Sequence, residues 1–173
     1  LARGTTRFTR AELSDEWERL KVSGRVSGPT ATLQTTRPNL PEALKLAAHV
    51  LREPRFDPAE FEQLRNQQIT GIMAQLTEPE ARASEAVSQH FNIYPKDDWR
   101  YNPTLEESLA ELRAAKLEDA KRFHEQFFGA QQVEIAIVGD FDEAAALAVL
   151  KEAFAGWKPK VPYQRVPVEF KDV

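Results

Sequence analysis

The feature that most constrains the fold is a long helical stretch bounded by two prolines. Residues 54–79 have the sequence PRFDPAEFEQLRNQQITGIMAQLTEP. We expect Asp57 to cap a helix that begins at Pro58, because proline is well tolerated in the first turn, and Pro79 to end it. Residues at helical spacing are predicted to share one face: Phe61, Leu64, Gln68, Ile72 and Leu76.

Composition excludes several classes of protein. The 173 residues fit one domain of ordinary size, and 42% apolar with 29% charged residues is a globular composition. The net charge of −4 is spread along the chain, so a nucleic-acid surface is not expected. No apolar run is long enough for a transmembrane helix. With no cysteine, the chain has no disulfide, thiolate metal site or cysteine nucleophile.

Two capping boxes mark the start of other helices. Thr9 with Glu12 and Thr104 with Glu107 have the required spacing, in which each side chain bonds the other residue's backbone N–H. They predict one helix from Arg10 to about Lys21 and a short helix that ends near Leu112.

Three segments have strand patterns. Val22–Gly28 and Thr30–Thr36 flank the turn at Gly28-Pro29, and the second alternates as a half-buried strand does, with Ala31, Leu33 and Thr35 on one side. Val133–Val138, with the sequence VEIAIV, is the strongest strand pattern in the chain.

The remaining segments are predicted to be mainly helical. These helices run from a cap at Asn39 to Pro54, from Glu80 to Phe91, from Leu117 to Phe128 with Gly129 as C-cap, and from a cap at Asp142 to Phe154. Residues 92–103 are aromatic, polar and rich in turn formers, so they predict a loop. Long helices with few strands predict an α+β fold, in which helices pack on one face of a mostly antiparallel sheet. We predict one domain over residues 1–158 and a linker, or the start of a following segment, over residues 159–173.

Several segments resemble the insulinase (pitrilysin) family of zinc metallopeptidases, and they stand in family order. Arg3-Gly4-Thr5, followed by FTRAEL, is similar to the family's Gly-Thr segment and the helix after it. LPEALKLAAHVLREPRF, residues 40–56, resembles the helix that precedes a Pro-x-Phe signature. Residues 104–142 resemble the closing run, with FHEQFFG before the strand that ends in VGDFD.

This resemblance implies a fold and a chemistry. The family's α+β domain occurs in tandem repeats, two of which face each other around an unfolded peptide. The catalytic repeat holds zinc with the two histidines of His-x-x-Glu-His and a distant glutamate, and leaves one position for water. The resemblance places that motif upstream of Leu1, so we expect this chain to be cut from a longer protein, with its N-terminal strand and motif helix outside it.

The distant glutamate is the one ligand whose position falls inside the chain. The family pattern places it in the long helix, eight residues before the final proline. Counting back from Pro79 gives Gly71. No carboxylate lies between Glu62 and Glu78, so a shift of two or three residues does not supply one. Gly71 can instead permit close helix packing. The resemblance therefore implies no metal ligand and no catalytic residue here, with zinc in a partner repeat.

Other candidate residues favour structural roles. His49, His90 and His124 are the only histidines, and no two have metal-ligand spacing within one helix. We expect His49 to be a packing residue, His90 to close a helix and His124 to lie at the edge of the core. Arg100 and Tyr101, in the aromatic loop, are the candidate contacts to a peptide or partner.

Three functions remain open at this stage. The first is a non-catalytic repeat that forms half of a peptide-enclosing chamber and supports a catalytic repeat, in the same polypeptide or in a partner subunit. The second is an active zinc metalloendopeptidase repeat with its motif directly before Leu1. The third is a non-enzymatic structural module, similar to the processing-peptidase-like core subunits of respiratory complexes. A periplasmic location is expected from the resemblance.

Overall fold

The structure is a computed structural model that describes residues 2–165. Along this part of the chain the elements are α1 (Arg10–Arg19), β1 (Ser23–Ser27), β2 (Thr30–Gln34), a 3₁₀ turn (Arg37–Asn39), α2 (Leu40–Arg52), α3 (Pro58–Gln75), α4 (Pro79–His90), α5 (Leu105–Ala114), α6 (Leu117–Phe127) and α7 (Glu143–Phe154). The predicted α+β class is confirmed. The chain divides into two compact units, one from residues up to Asp57 with Glu118–Gln164, the other built on Pro58–Leu117.

Both predicted capping boxes are present. The Thr9 hydroxyl oxygen accepts a hydrogen bond from the Glu12 N–H at 3.3 Å, and the Glu12 carboxylate accepts one from the Thr9 N–H at 2.7 Å. Thr104 and Glu107 make the same reciprocal pair at 3.2 and 2.9 Å. These bonds satisfy N–H groups that the first helical turn leaves without partners.

The first unit contains an antiparallel hairpin in which Ser23 pairs with Gln34 and Ser27 with Thr30. The turn follows Gly28, whose φ of +55° is easily adopted by glycine. The predicted alternation of β2 is only partly correct. Leu33 and Thr35 are half-buried, but Ala31 is exposed.

Helix α2 is the centre of the first unit's core. Leu46, Val50 and Leu51 are buried together with Leu13 of α1, Leu20 and Val26 of β1. The predicted cap at Asn39 is wrong, because the 3₁₀ turn comes first and the Asn39 side chain makes no capping bond. Its amide nitrogen instead donates to the Leu20 carbonyl at 2.9 Å, which ties the start of α2 to the end of α1.

Gly129 follows α6 for a different reason than predicted. Its φ is not in the left-handed region that a glycine C-cap adopts. A Cβ at this position would lie 2.3 Å from Pro159 Cδ and 2.4 Å from Pro159 N. Glycine is required because the chain at residues 158–159 passes directly over it. Nearby, the Val161 N–H donates to the Gln126 carbonyl at 2.9 Å.

The strand predicted at Val133–Val138 is not formed. Among the described residues, no backbone hydrogen bond joins this segment to another strand, and β2 pairs only with β1. Val138 is 98% exposed. A strand pattern becomes a strand only where a neighbour accepts and donates its backbone hydrogen bonds, and the described residues place none beside this segment.

The second unit consists of α3, α4 and α5, with the predicted loop between α4 and α5. Helix α3 begins at Pro58 as predicted, and it packs against α5. The predicted face is partly correct, because Phe61, Ile72 and Leu76 are half-buried. Leu64 and Gln68 are exposed, and Arg65 and Ile69 are half-buried in their place. Within Pro58–Leu117 only Leu109 and Leu117 are buried, so this unit has little core of its own.

Part of the predicted linker, residues 166–173, lies outside the described residues, and the boundary at residue 158 stays a prediction. Among residues 2–165, no helix combines the length and apolar character needed to cross a bilayer.

Candidate functional site

Gly71 lies in the last turns of α3 on an exposed face. No atom of the described residues comes within 4 Å of a Cβ built on it, apart from the helix's own neighbouring backbone. Close helix packing therefore does not explain this glycine. The position has room for a Cβ, yet the residue present has no group that could bind a metal.

The three histidines lie apart in structural roles. His124 is buried in α6, its Nε2 lies 2.7 Å from the Leu51 carbonyl oxygen, and its ring stacks on Phe128 at a centroid distance of 4.7 Å. His90 is the last residue of α4, and its ring contacts the ring of Phe91 edge-on.

His49 is a largely buried member of α2. Its Nδ1 lies 3.7 Å from the Glu53 carboxylate, and its Nε2 has no hydrogen-bond partner among the described residues. Burial lowers the pKa of His49 by disfavouring the charged ring. A neutral imidazole can bind a metal, but a site needs more than one ligand.

No group of three or more histidine, aspartate or glutamate side chains within residues 2–165 is arranged to hold a metal ion. The prediction that this segment has no zinc ligand is not tested by that finding and stays a prediction.

The loop before α5 contains the predicted contact residues. The Arg100 guanidinium pairs with the Asp98 carboxylate at 2.7 Å, and it lies 4.1 Å from the ring centroid of Tyr94. The Tyr101 hydroxyl donates to Glu107 at 2.9 Å. Both predicted residues thus help to shape the loop, while Trp99 beside them is 74% exposed. Their role as peptide contacts stays a prediction.

The Glu107 carboxylate accepts several hydrogen bonds from this loop. The ammonium group of Lys96, the Thr104 backbone N–H and the Tyr101 hydroxyl all donate to its carboxylate, and together they lower its pKa to about 2. The same contact raises the pKa of Lys96 and of Tyr101, whose proton Glu107 accepts. These groups fix the loop to the N-terminus of α5.

The first unit also has a cleft of about 350 Å³, lined by both apolar and polar side chains. One wall is β2 and the residues after it, the other is the unpaired segment 133–138, and the floor comes from α2 and α7. Among the lining residues, Arg37 donates to the two Asp140 carboxylate oxygens at 2.7 and 2.9 Å. The sequence did not indicate this cleft, because the apolar run at 133–138 predicted a strand of the sheet instead.

Comparison with known proteins supports the resemblance seen in the sequence. Residues 114–173 match a family model described as the Peptidase M16 inactive domain. The matched region includes α6, the segment 133–138 and α7, but it does not include α3 and Gly71. A search of curated proteins gives no match.

The fold has a solved counterpart in the crystal structure of a protease from Helicobacter pylori. The two align with a TM-score of 0.73 at 18% sequence identity. The alignment covers 98% of this chain and 41% of that protein, so this chain spans about two fifths of the length of the solved protease. The resemblance predicted from the sequence is thus confirmed in fold and over the matched C-terminal part.

Proposed function

We propose that this chain is a non-catalytic, peptidase-like repeat of a longer zinc peptidase, in which it forms half of a peptide-enclosing chamber and supports a catalytic repeat. The observation that supports this most directly is Gly71 at the position where a glutamate ligand is expected, in a helix with no carboxylate between Glu62 and Glu78. The match of residues 114–173 to the inactive domain of M16 peptidases points the same way.

A partner repeat is supported by the surface of the second unit. Met73, Val87, Phe91 and Trp99 are each more than half exposed, although large apolar side chains gain free energy on burial. We propose that these side chains become covered where this unit contacts the partner repeat. We expect the catalytic repeat to contribute the zinc and a periplasmic location for the whole protein.

The test uses the full-length protein with Glu62→Gln or Glu78→Gln, the two carboxylates that flank the acid-free part of α3. We expect zinc content and kcat for peptide hydrolysis to equal those of the unsubstituted protein. Loss of zinc, or a fall in kcat of about 100-fold, in either variant would show that this part of the chain supplies a ligand and would overturn the proposal. Even the replacement of residues that only hydrogen-bond to metal ligands lowers metal affinity or activity about 10- to 100-fold. Loss of a ligand itself would therefore be measurable.

The chamber role has a separate test at the loop. We expect Arg100→Ala in the full-length protein to raise KM for a peptide about 10-fold with little change in kcat, as removal of a charge-assisted hydrogen bond would. Asp98→Asn is the matched control, because it weakens the Arg100–Asp98 pair but keeps the guanidinium. An equal rise in KM for both variants would assign Arg100 to loop structure alone.

A further inference from the structure

The first unit contains another cavity of about 350 Å³, here called the charged cavity because most of its lining residues are ionisable. Arg7 of the N-terminal segment and Glu152 of α7 contribute to it. Lys45, His49 and Arg52 come from α2, where they share one face because they are four and three residues apart. Pockets for small ligands have volumes of about 300–1,000 Å³, so the charged cavity has room for a small ion.

The lining of the charged cavity has an excess of positive charge. Its fully charged side chains are three cations and two carboxylates: Arg7, Lys45, Arg52, Glu53 and Glu152. The Glu53 carboxylate already accepts a hydrogen bond from the Thr6 hydroxyl at 2.9 Å. One positive charge is therefore in excess while His49 is neutral, which favours an anion over a cation.

Two of the three cations are not bound to a carboxylate. Arg7 and Lys45 are exposed, and neither forms an ion pair with a residue that the structure describes. The Arg7 guanidinium lies 5.6 Å from the ring centroid of Phe8, a contact that uses its planar face rather than its N–H groups. Arg52 differs, because its guanidinium donates to the Ala153 carbonyl. Arg7 and Lys45 are therefore the cations available to an anion.

His49 adds a polar atom whose hydrogen-bonding capacity is unused within the described part of the chain. Its side chain is 13% exposed, and its Nε2 is buried without a partner there. Buried polar atoms are nearly always hydrogen-bonded, so this nitrogen is available to a ligand. Burial lowers the pKa of His49, and the charge of Arg7 lowers it further. The guanidinium is thus close enough to the ring for one anion to interact with both.

We infer that the charged cavity binds one phosphate group, with Arg7, Lys45 and His49 as its hydrogen-bond donors. These donors come from two separate parts of the chain, which suits a tetrahedral anion with several acceptor oxygens better than a planar carboxylate. The small excess of positive charge suits a single phosphate group rather than a polyphosphate. A bound phosphate would link the N-terminal segment to α2. The inference does not depend on the proposed function.

The test is a titration of the full-length protein with inorganic phosphate at neutral pH and constant ionic strength, so that charge screening stays the same. NMR of ¹³C-labelled histidine follows the His49 ring, and the variant His49→Gln assigns its signal. We expect this signal to shift until it saturates, with a Kd of about 1 mM or tighter. His90 and His124 do not line the cavity, so their signals are internal controls. No shift of the His49 signal, a shift that does not saturate, or equal shifts of all three would overturn the inference.

Two variants test the cations separately. Arg7→Gln and Lys45→Met each remove one charge at an exposed position, so both proteins are expected to fold. Each should weaken phosphate binding about 10-fold, as loss of a charge-assisted hydrogen bond would. Lys121→Met is the matched control, because Lys121 is exposed on α6 of the same unit and does not line the cavity. Unchanged affinity in both cavity variants, or an equal loss in the control, would overturn the inference.

Two further probes define the ligand. Methyl phosphate is a minimal phosphate ester, and binding at least as tight as that of inorganic phosphate would indicate a phosphorylated ligand. Weaker binding of the ester would indicate free phosphate, and both results agree with the inference. Acetate should bind more weakly than phosphate, because it offers two oxygens in one plane. Acetate binding as tight as that of phosphate would overturn the assignment to a phosphate group.

Discussion

Gly71 and Gly129 differ in how much space surrounds their Cα atoms. Gly71 is a helix residue in open surroundings, whereas a Cβ on Gly129 would lie 2.4 Å from the backbone nitrogen of Pro159. Alanine restricts the unfolded chain more than glycine does, so it stabilises a helix wherever it fits.

We predict that Gly71→Ala raises the free energy of unfolding by about 0.5–1 kcal/mol, because a helical glycine is replaced without a clash. Gly129→Ala should lower it by about 1–3 kcal/mol, as expected where an added methyl group has to displace backbone. Urea unfolding of the two variants measures both signs. A stable Gly129→Ala protein would show that residues 158–159 do not lie over Gly129.

A second prediction at this scale concerns acid and Glu107. The pKa of this glutamate is lowered to about 2 in the folded protein, whereas in an unfolded chain it is ~4.3. The folded state therefore gains stability from the ionised carboxylate above ~4.3, and loses that gain as the pH falls toward about 2.

The variant Glu107→Gln should accordingly be less stable than the unsubstituted protein at about pH 6, and the difference should shrink as the pH falls to about 2. Thermal midpoints across this range measure it. Glu111→Gln, at an exposed glutamate on the same helix, is the control. A difference that is independent of pH would mean that Glu107 acts through its shape rather than its charge.

At the scale of elements, local signals predicted most helices correctly. The capping boxes at Thr9 and Thr104 gave the first residues of α1 and α5, because a cap is made by residues three positions apart. The same local reasoning predicted a cap at Asn39 wrongly, because the Asn39 side chain bonds to Leu20, which is distant in sequence.

The capping box at Thr104 gives a third prediction. Thr104→Ala should lower the free energy of unfolding by about 1 kcal/mol, because the Glu107 N–H loses its acceptor. Thr104→Ser keeps the hydroxyl oxygen and should restore most of this loss. Equal destabilisation by both variants would assign the effect to packing of the threonine methyl group instead.

Strands were less predictable than helices for a physical reason. The hairpin β1–β2 is local, and the turn at Gly28-Pro29 indicated it. The pattern at 133–138 is stronger, but a strand depends on a neighbour that its own sequence does not specify. The candidate functional residues differ in the same way. The position of Gly71 could be predicted by counting along one helix, whereas the cleft could not, because it forms only when β2, α2 and α7 come together.

At the scale of the whole molecule, the proposed function depends on where zinc is bound. The proposed function expects a catalytic repeat elsewhere in a longer protein. This chain has three histidines, and among residues 2–165 none of them belongs to a metal-binding group. If this repeat is non-catalytic, its histidines contribute packing and hydrogen bonds but no metal ligand.

The most direct measurement is the zinc content of the full-length protein in which His49, His90 and His124 are all replaced by glutamine, which keeps a hydrogen-bonding side chain. Circular dichroism and the single variants establish that the protein remains folded. The account predicts the same molar ratio of zinc to protein, and the same peptidase activity, as in the unsubstituted protein. Loss of a bound zinc from the folded triple variant, or a full-length protein that binds no zinc at all, would contradict it.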